Sequence, residues 1–179
     1  IMYSQNSDGS VRNLMNFDRT WIENEADHDA LGRVLWAFGS IMAKPPAAQY
    51  LSIIKDYCDI SVKWVKKLSP RGKAYAILGM SDYLKQFPGA SDIKRELVSA
   101  ADNLLDLYLK NKRDDWQWFE DILTYDNAIL PYALFIAGME FGEKYLEAAK
   151  EACDFLIDVT YPKDHFSFIG CDNWYKYKG

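Results

Sequence analysis

Residues 29–68, DALGRVLWAFGSIMAKPPAAQYLSIIKDYCDISVKWVKKL, read as two helices placed back to back. Leu31, Val34, Leu35, Phe38, Ile41 and Met42 recur at spacings of three and four, one face of a helix over about 29–43. Asp27 or Asp29 can cap its start. Pro45-Pro46 stops it and opens a second helix, about 47–67. The inner stripe of that helix is Leu51, Ile54, Cys58, Ser61 or Val62, Val65 and Leu68. Lys66 and Lys67 close it, where cations suit the helix dipole. A short break between two long helices makes an antiparallel hairpin.

Outward from this hairpin the same grammar continues. Ser69-Pro70 opens a helix over about 71–86, with Ala74, Ile77, Leu78, Ser81 and Leu84 inward, and Pro88-Gly89 breaks it. Ser91 or Asp92 caps a helix over about 92–110, with Ile93, Leu97, Ala100, Ala101, Leu104 and Tyr108 inward. A polar and aromatic stretch, 111–127, has no period. A helix over about 128–141 follows, with Leu130, Ala133, Leu134, Ala137 and Phe141 inward and Pro131 in its tolerant first turn. Gly142 separates it from a last helix, about 143–158, with Leu146, Ala149, Cys153 and Leu156 inward. Residues 1–28 are irregular, with an Asp8-Gly9 turn and an extended or strand segment from Val11 to Phe17; the aromatic tail 159–179 is irregular too. The expected fold is all-α: consecutive antiparallel helical hairpins in one domain over 1–179. A period of roughly 40–50 residues per hairpin suits a solenoid or a toroid-like (α/α) stack.

Charge and composition exclude several classes. A formal net charge of −5 with no basic stripe argues against nucleic acid, whose binding needs phosphate neutralisation. Cys58, Cys153 and Cys171 are widely spaced and form no zinc pattern. Cys58 and Cys153 fall on apolar faces and are expected as buried free thiols, which suits a reducing compartment. No run approaches the ~18 apolar residues of a membrane span, and no signal-peptide pattern is read at the start. A cytoplasmic location is therefore expected. P-loop, GxGxxG, GxSxG and HExxH patterns are absent, and His28 and His165 are the only histidines. No metal and no cofactor is expected.

Chemistry is expected in three irregular segments. The first runs Asn16-Phe17-Asp18-Arg19-Thr20-Trp21 and on to Asp27-His28-Asp29 and Gly32-Arg33. The second is Trp116-Gln117-Trp118-Phe119-Glu120 with Leu123-Thr124-Tyr125-Asp126-Asn127. The third is Gly170-Cys171-Asp172-Asn173-Trp174-Tyr175. Each has a plainer reading. Asp126 or Asn127 can be a helix cap, Asp29 with Arg33 an i,i+4 surface pair, His28 a local hydrogen-bonding residue, and Trp116 and Trp118 core anchors. In the other reading, carboxylates supply acid and base, aromatic faces cover sugar C–H surface, and Arg, Asn and Tyr bind hydroxyls.

The stretches NLMNFDRTWIE (13–23), DHDALGRVLWAFG (27–39) and WQWFEDILTYDNAILPYALFIAG (116–138) resemble a bacterial family of six-hairpin-glycosidase-like, glycosyltransferase-associated (α/α) toroid domains. The last is the most specific, matching at Trp116, Trp118, Phe119, Glu120, Leu123, Thr124, Tyr125, Asp126, Asn127 and Pro131. The resemblance implies a partial toroid that acts on or binds a glycan. It implies Asp29, Glu120 and Asp126 as catalytic candidates, with Arg33, Trp118, Tyr125, Asn127, Asp18 and Trp174 binding substrate. Two rim carboxylates roughly 5–5.5 Å apart would retain, and ~6.5–9.5 Å apart would invert, the anomeric configuration. Implied partners are an oligosaccharide or glycan, and a glycosyltransferase or a second copy that completes the ring. The chain departs from the family pattern at His28 (Glu), Ala30 (Ser), Leu31 (His) and Ile129 (Arg). The last three are polar-to-apolar changes at the expected rim, and all four favour the alternative, a non-catalytic glycan-binding or protein-interaction module.

Overall fold

The computed structural model describes residues 3–22, 27–44, 48–170 and 174–178. The fold is all-α. Helices α1 (His28–Ala43), α2 (Ala48–Val62), α3 (Pro70–Gln86), α4 (Ser91–Asn111), α5 (Ile129–Phe141) and α6 (Glu143–Thr160) follow one another. One short antiparallel ribbon joins β1 (Ile122–Leu123) to β2 (Tyr175–Lys176), with Ile122 opposite Lys176 and Leu123 opposite Tyr175. Glu23, the Pro45-Pro46 break and the Cys171-Asp172-Asn173 segment lie outside the described residues. The chain divides into two compact units, residues 1–100 and residues 101–179.

In the first unit α1 packs chiefly on α3, with α2 returning between them in the chain. The α1–α3 seam is glycine against glycine. A Cβ on Gly32 would stand 2.4 Å from the Gly72 carbonyl oxygen, and one on Gly39 would stand 2.0 Å from that of Gly79. Each helix carries its glycines seven residues apart, so one face stays bare over two turns and the backbones touch. The two helices run parallel, and the offset is 40 residues for both pairs. Their N-termini are capped alike: Asp27 accepts from the Ala30 amide at 2.8 Å, and Ser69 from the Gly72 amide at 3.0 Å. Leu31, Leu35, Phe38 and Met42 line the inner side of α1, and most of α3 is buried.

Helix α2 stops at Val62, and a separate 3-10 turn forms at Val65–Lys67, where one continuous helix was expected. The N-terminal segment docks against this end of α2. Gln5 donates to the Tyr57 carbonyl at 2.9 Å, and Ser61 donates its hydroxyl to the Gly9 carbonyl at 2.7 Å. The helix end itself tightens, the Trp64 amide donating to the Ser61 carbonyl at 3.0 Å in an i,i+3 bond.

That segment is two copies of one device. Asn6 and Asn16 each take a backbone bond from the tip, with Gly9 and Arg19 donating to their carbonyls at 3.0 and 2.9 Å. Asp8 and Asp18 each accept from the amide and hydroxyl of the residue two ahead, Ser10 and Thr20. Bridges Gln5–Val11 and Met15–Trp21 close the two loops, ten residues apart. Gly9 (φ 88°) and Arg19 (φ 68°) hold the same left-handed position.

In the second unit α5 packs on α6, with Gly138 admitting Leu146. The buried face of α6 is Tyr145, Ala148, Ala149, Ala152 and Thr160. This corrects the expected stripe by a rotation of one residue. Cys153 is exposed rather than buried, and Leu146 and Leu156 are half-buried. Small alanines that let helices approach count for little in hydrophobicity, and Tyr145 is drawn inward because its hydroxyl donates to Asp102 at 2.7 Å. Cys58 is buried as expected, and burial pushes its thiol up to about 12.

One strut recurs three times: a carboxylate takes both a lysine ammonium and a buried tyrosine hydroxyl. Asp59 on α2 pairs with Lys55 and accepts from Tyr83 of α3 at 2.9 Å. Asp102 on α4 pairs with Lys144 at 2.7 Å and accepts from Tyr145, both at the start of α6. Glu151 on α6 pairs with Lys112 at 2.6 Å and accepts from Tyr108 of α4 at 2.7 Å.

Candidate functional site

Asp29 and Arg33 stand on the first turns of α1, and the same face continues through Trp36 and Ser40. The spacing is four, three, four, which sets all four residues in one stripe. Arg33, Trp36 and Ser40 are exposed and Asp29 is half-buried. Both ends of the stripe are tied to α3. Asp29 accepts from the Ser69 hydroxyl at 2.5 Å, and Ser40 donates to Asp82 at 3.0 Å. Between them Tyr75 of α3 lies beneath, 1% exposed. The Arg33 guanidinium rests on its ring at 4.3 Å and Trp36 stacks on it at 5.8 Å. Cation–π contact and stacking therefore hold both side chains in place while their outer faces meet solvent. The Tyr75 hydroxyl is buried without a hydrogen-bond partner among the described residues. On α3, Lys73 holds the place Arg33 has on α1, and burial pulls its pKa below the usual lysine value.

Asp18 lies in the exposed second N-terminal loop. Bonds from Thr20 hold its carboxyl below the usual range, with the hydroxyl at 2.7 Å the larger cause and the amide next. The loop joins the α1 end through Asn13, which donates to Asp27 at 3.0 Å. His28 is half-buried, and its carbonyl faces Gly72 across the seam.

The second unit gathers the other candidates on the stretch before α5. Glu120 is half-buried, and Tyr125 and Asp126 are exposed. Asp126 holds φ 49°, a left-handed backbone that a non-glycine residue adopts at a cost of about 1 kcal/mol. Asn127 is spent on the loop: its Oδ1 accepts from the Thr124 amide at 3.0 Å and its Nδ2 donates to the Thr124 carbonyl at 2.9 Å. The residue preceding α5 is Ala128, so neither Asp126 nor Asn127 holds the N-cap position expected for one of them. Trp118 is fully enclosed, edge-on to Phe119 at 5.3 Å, and its indole N–H has no partner among the described residues. Its expected sugar-facing role is corrected to a core one, because neither ring face is open. Trp116 is likewise core, stacked on Tyr175 at 5.8 Å with its N–H donating to the Glu120 carbonyl at 2.7 Å. Trp174, just before β2, is exposed.

Two of the departures from the family pattern also move. Leu31 and Ile129 are buried, so they belong to the core and not to a rim. Trp36 is the residue that sequence reasoning passed over, although its spacing from Asp29 and Arg33 carried the signal.

A groove of about 650 Å³ in the first unit is lined by Lys55, Asp59, Lys63, Lys66, Tyr83 and Glu96 among others. Its acidic groups are already matched: Asp59 with Lys55, Glu96 with Lys66 at 3.4 Å, and Asp92 with Arg95 at 2.7 Å. Among the described residues no group of three or more His, Cys, Asp or Glu side chains is arranged to hold a metal ion. No described helix is long and apolar enough to cross a membrane. Compared with family models, curated proteins and solved structures, the chain matches none.

Proposed function

We propose that this chain is a carbohydrate-active domain of the six-hairpin-glycosidase type that holds a glycan along α1. The observation that carries the reading is the Asp29–Arg33–Trp36–Ser40 stripe over Tyr75. From Asp29 to Trp36 the helix rises about 10 Å, the scale of a disaccharide. The open face of Trp36 suits the C–H side of one ring. Arg33, pinned on Tyr75, directs N–H donors at hydroxyls, and Asp29, held by Ser69, accepts from them. In the second unit, taken by itself, the left-handed Asp126 backbone and the exposed Tyr125 and Trp174 make the loop before α5 a separate candidate for glycan contact.

If the glycan held along α1 is cleaved, Asp29 is the carboxylate of that stripe that can serve as acid or base, while Glu120 and Asp126 are the carboxylate candidates of the second unit taken by itself. The test is a thermal-shift screen with neutral and acidic oligosaccharides, followed by product analysis of any ligand that stabilises. A hit lost in Arg33→Ala and Trp36→Ala, with the fold retained, supports the stripe. Turnover lost in Asp29→Asn or Asp126→Asn supports cleavage; binding without products assigns a holding role, with a glycosyltransferase as the natural associate. A hit indifferent to both stripe variants contradicts the reading.

A further inference from the structure

The two N-terminal loops share one framework but not one use. The first is seated on α2: Trp64 donates its indole N–H to the Asp8 carbonyl at 2.9 Å, and Gly9 lies so close to Ile60 that a Cβ would be 2.5 Å from its carbonyl oxygen. The second carries Arg19 where the first has Gly9, so it cannot seat on a helix in the same way. It carries Phe17 where the first has Ser7, and Phe17 is fully exposed. Leu14, Met15 and Ile22 around it are exposed as well. A loop fixed by five internal hydrogen bonds thus presents a bare phenyl ring beside a cation, with little conformational entropy left to lose on binding.

A surface of matching character lies in the second unit. Helix α5 is apolar on every side, a pattern expected of a helix covered all round. Yet Tyr132, Phe135 and Met139 are about half exposed or more. Beside them a groove of about 590 Å³ runs between α5 and α6, lined by Tyr132, Phe135, Leu146, Lys150, Cys153 and Asp154 among others. Charge supplies the direction. Residues 1–100 hold 13 Lys and Arg against 11 Asp and Glu, whereas residues 101–179 hold 8 against 15.

We propose that copies of this chain associate head to tail, the Phe17 ring of one entering the α5–α6 groove of the next and Arg19 pairing with Asp154 at its edge. The contact is heterologous, joining different patches on the two copies, so it either closes into a ring or continues as a row. It stands independently of the glycan reading. Opposite net charge on the two contributing units speeds encounter and makes association weaken with salt.

Sedimentation velocity of the wild-type chain over a concentration series, at about 0.05 and about 0.5 M salt, reads it directly. Reversible association that weakens at the higher salt is expected. Phe17→Ala should weaken it at least about tenfold, and Arg19→Glu and Asp154→Arg should each abolish it while melting like wild type. Mixing Arg19→Glu with Asp154→Arg should restore association, because every loop then meets a groove of opposite charge. Cys153, exposed in the groove, should be alkylated more slowly in associated wild type than in Phe17→Ala. A wild-type chain that stays monomeric throughout, association unaffected by Phe17→Ala and Arg19→Glu, or a mixture no more associated than its parts, would overturn the proposal.

Discussion

At the scale of single residues, local physics is out of balance at the buried Tyr75 hydroxyl and at the left-handed Arg19 and Asp126, among other places. A buried phenol without a partner costs about 1–3 kcal/mol, so Tyr75→Phe should leave stability unchanged or raise it by about 1 kcal/mol, measured by urea unfolding. Glycan affinity should survive, because the ring and not the hydroxyl supports Arg33 and Trp36. Arg19→Gly should stabilise by about 0.5–1 kcal/mol, since Gly9 fills the same position in the sister loop. If it destabilises instead, the Arg19 side chain makes a folding contact. Neither imbalance can be read from residue types. A positive φ at Arg19 becomes visible only when the ten-residue repeat Asn-x-Asp-Gly-Ser and Asn-x-Asp-Arg-Thr is noticed.

At the scale of elements, the α1–α3 seam holds the first unit together. Gly39→Ala places a methyl 2.0 Å from a backbone oxygen that cannot move alone, and should cost about 2–4 kcal/mol. Gly89→Ala, with nothing near its Cβ, is the neutral control. All six helices were legible from apolar spacing and Pro/Gly punctuation, within one or two residues for most ends. Three features were not. The break after Val62 lies in a run whose apolar spacing continues to Leu68, and it shows only in the tighter Trp64-to-Ser61 backbone bond. The rotated face of α6 depends on alanines and on a tyrosine with a polar partner, which a count of leucines misses. The 40-residue recurrence Gly32-Arg33…Gly39 and Gly72-Lys73…Gly79 was present in the letters, but small residues do not register as a hydrophobic stripe. The candidate site divides the same way. Asp29 and Arg33 were found by motif, whereas the burial of Trp118 and the use of Asn127 within its own loop follow from packing.

At the scale of the molecule, the tyrosine–carboxylate–lysine struts set the response to pH. Burial alone would raise the Asp102 carboxyl, but bonds from Lys144 and Tyr145 outweigh it and hold it below the usual range. Glu151 is held down chiefly by Lys112, then by Tyr108. A folded-state pKa below the unfolded one gives stability that is present above the ordinary carboxylate range and lost as pH falls through the folded value. The Tyr108 and Tyr145 hydroxyls are raised, first by burial and then by their carboxylates, so their contribution is complete below about pH 10 and lost above it. Melting temperature should therefore be level from about pH 5 to 9 and fall on both sides, with the acid limb shallower in Asp102→Asn; solvent screening of these partly exposed pairs keeps both limbs gentle. A glycan lying along α1 is best sought by titrating the isotope-labelled chain with an oligosaccharide identified in the thermal screen and following the protein's amide and indole resonances. Saturable shifts of the Trp36 indole N–H and the Asp29–Ser40 amides are expected, with the amide shifts absent in Trp36→Ala. Binding whose shifts leave α1 untouched would contradict this placement.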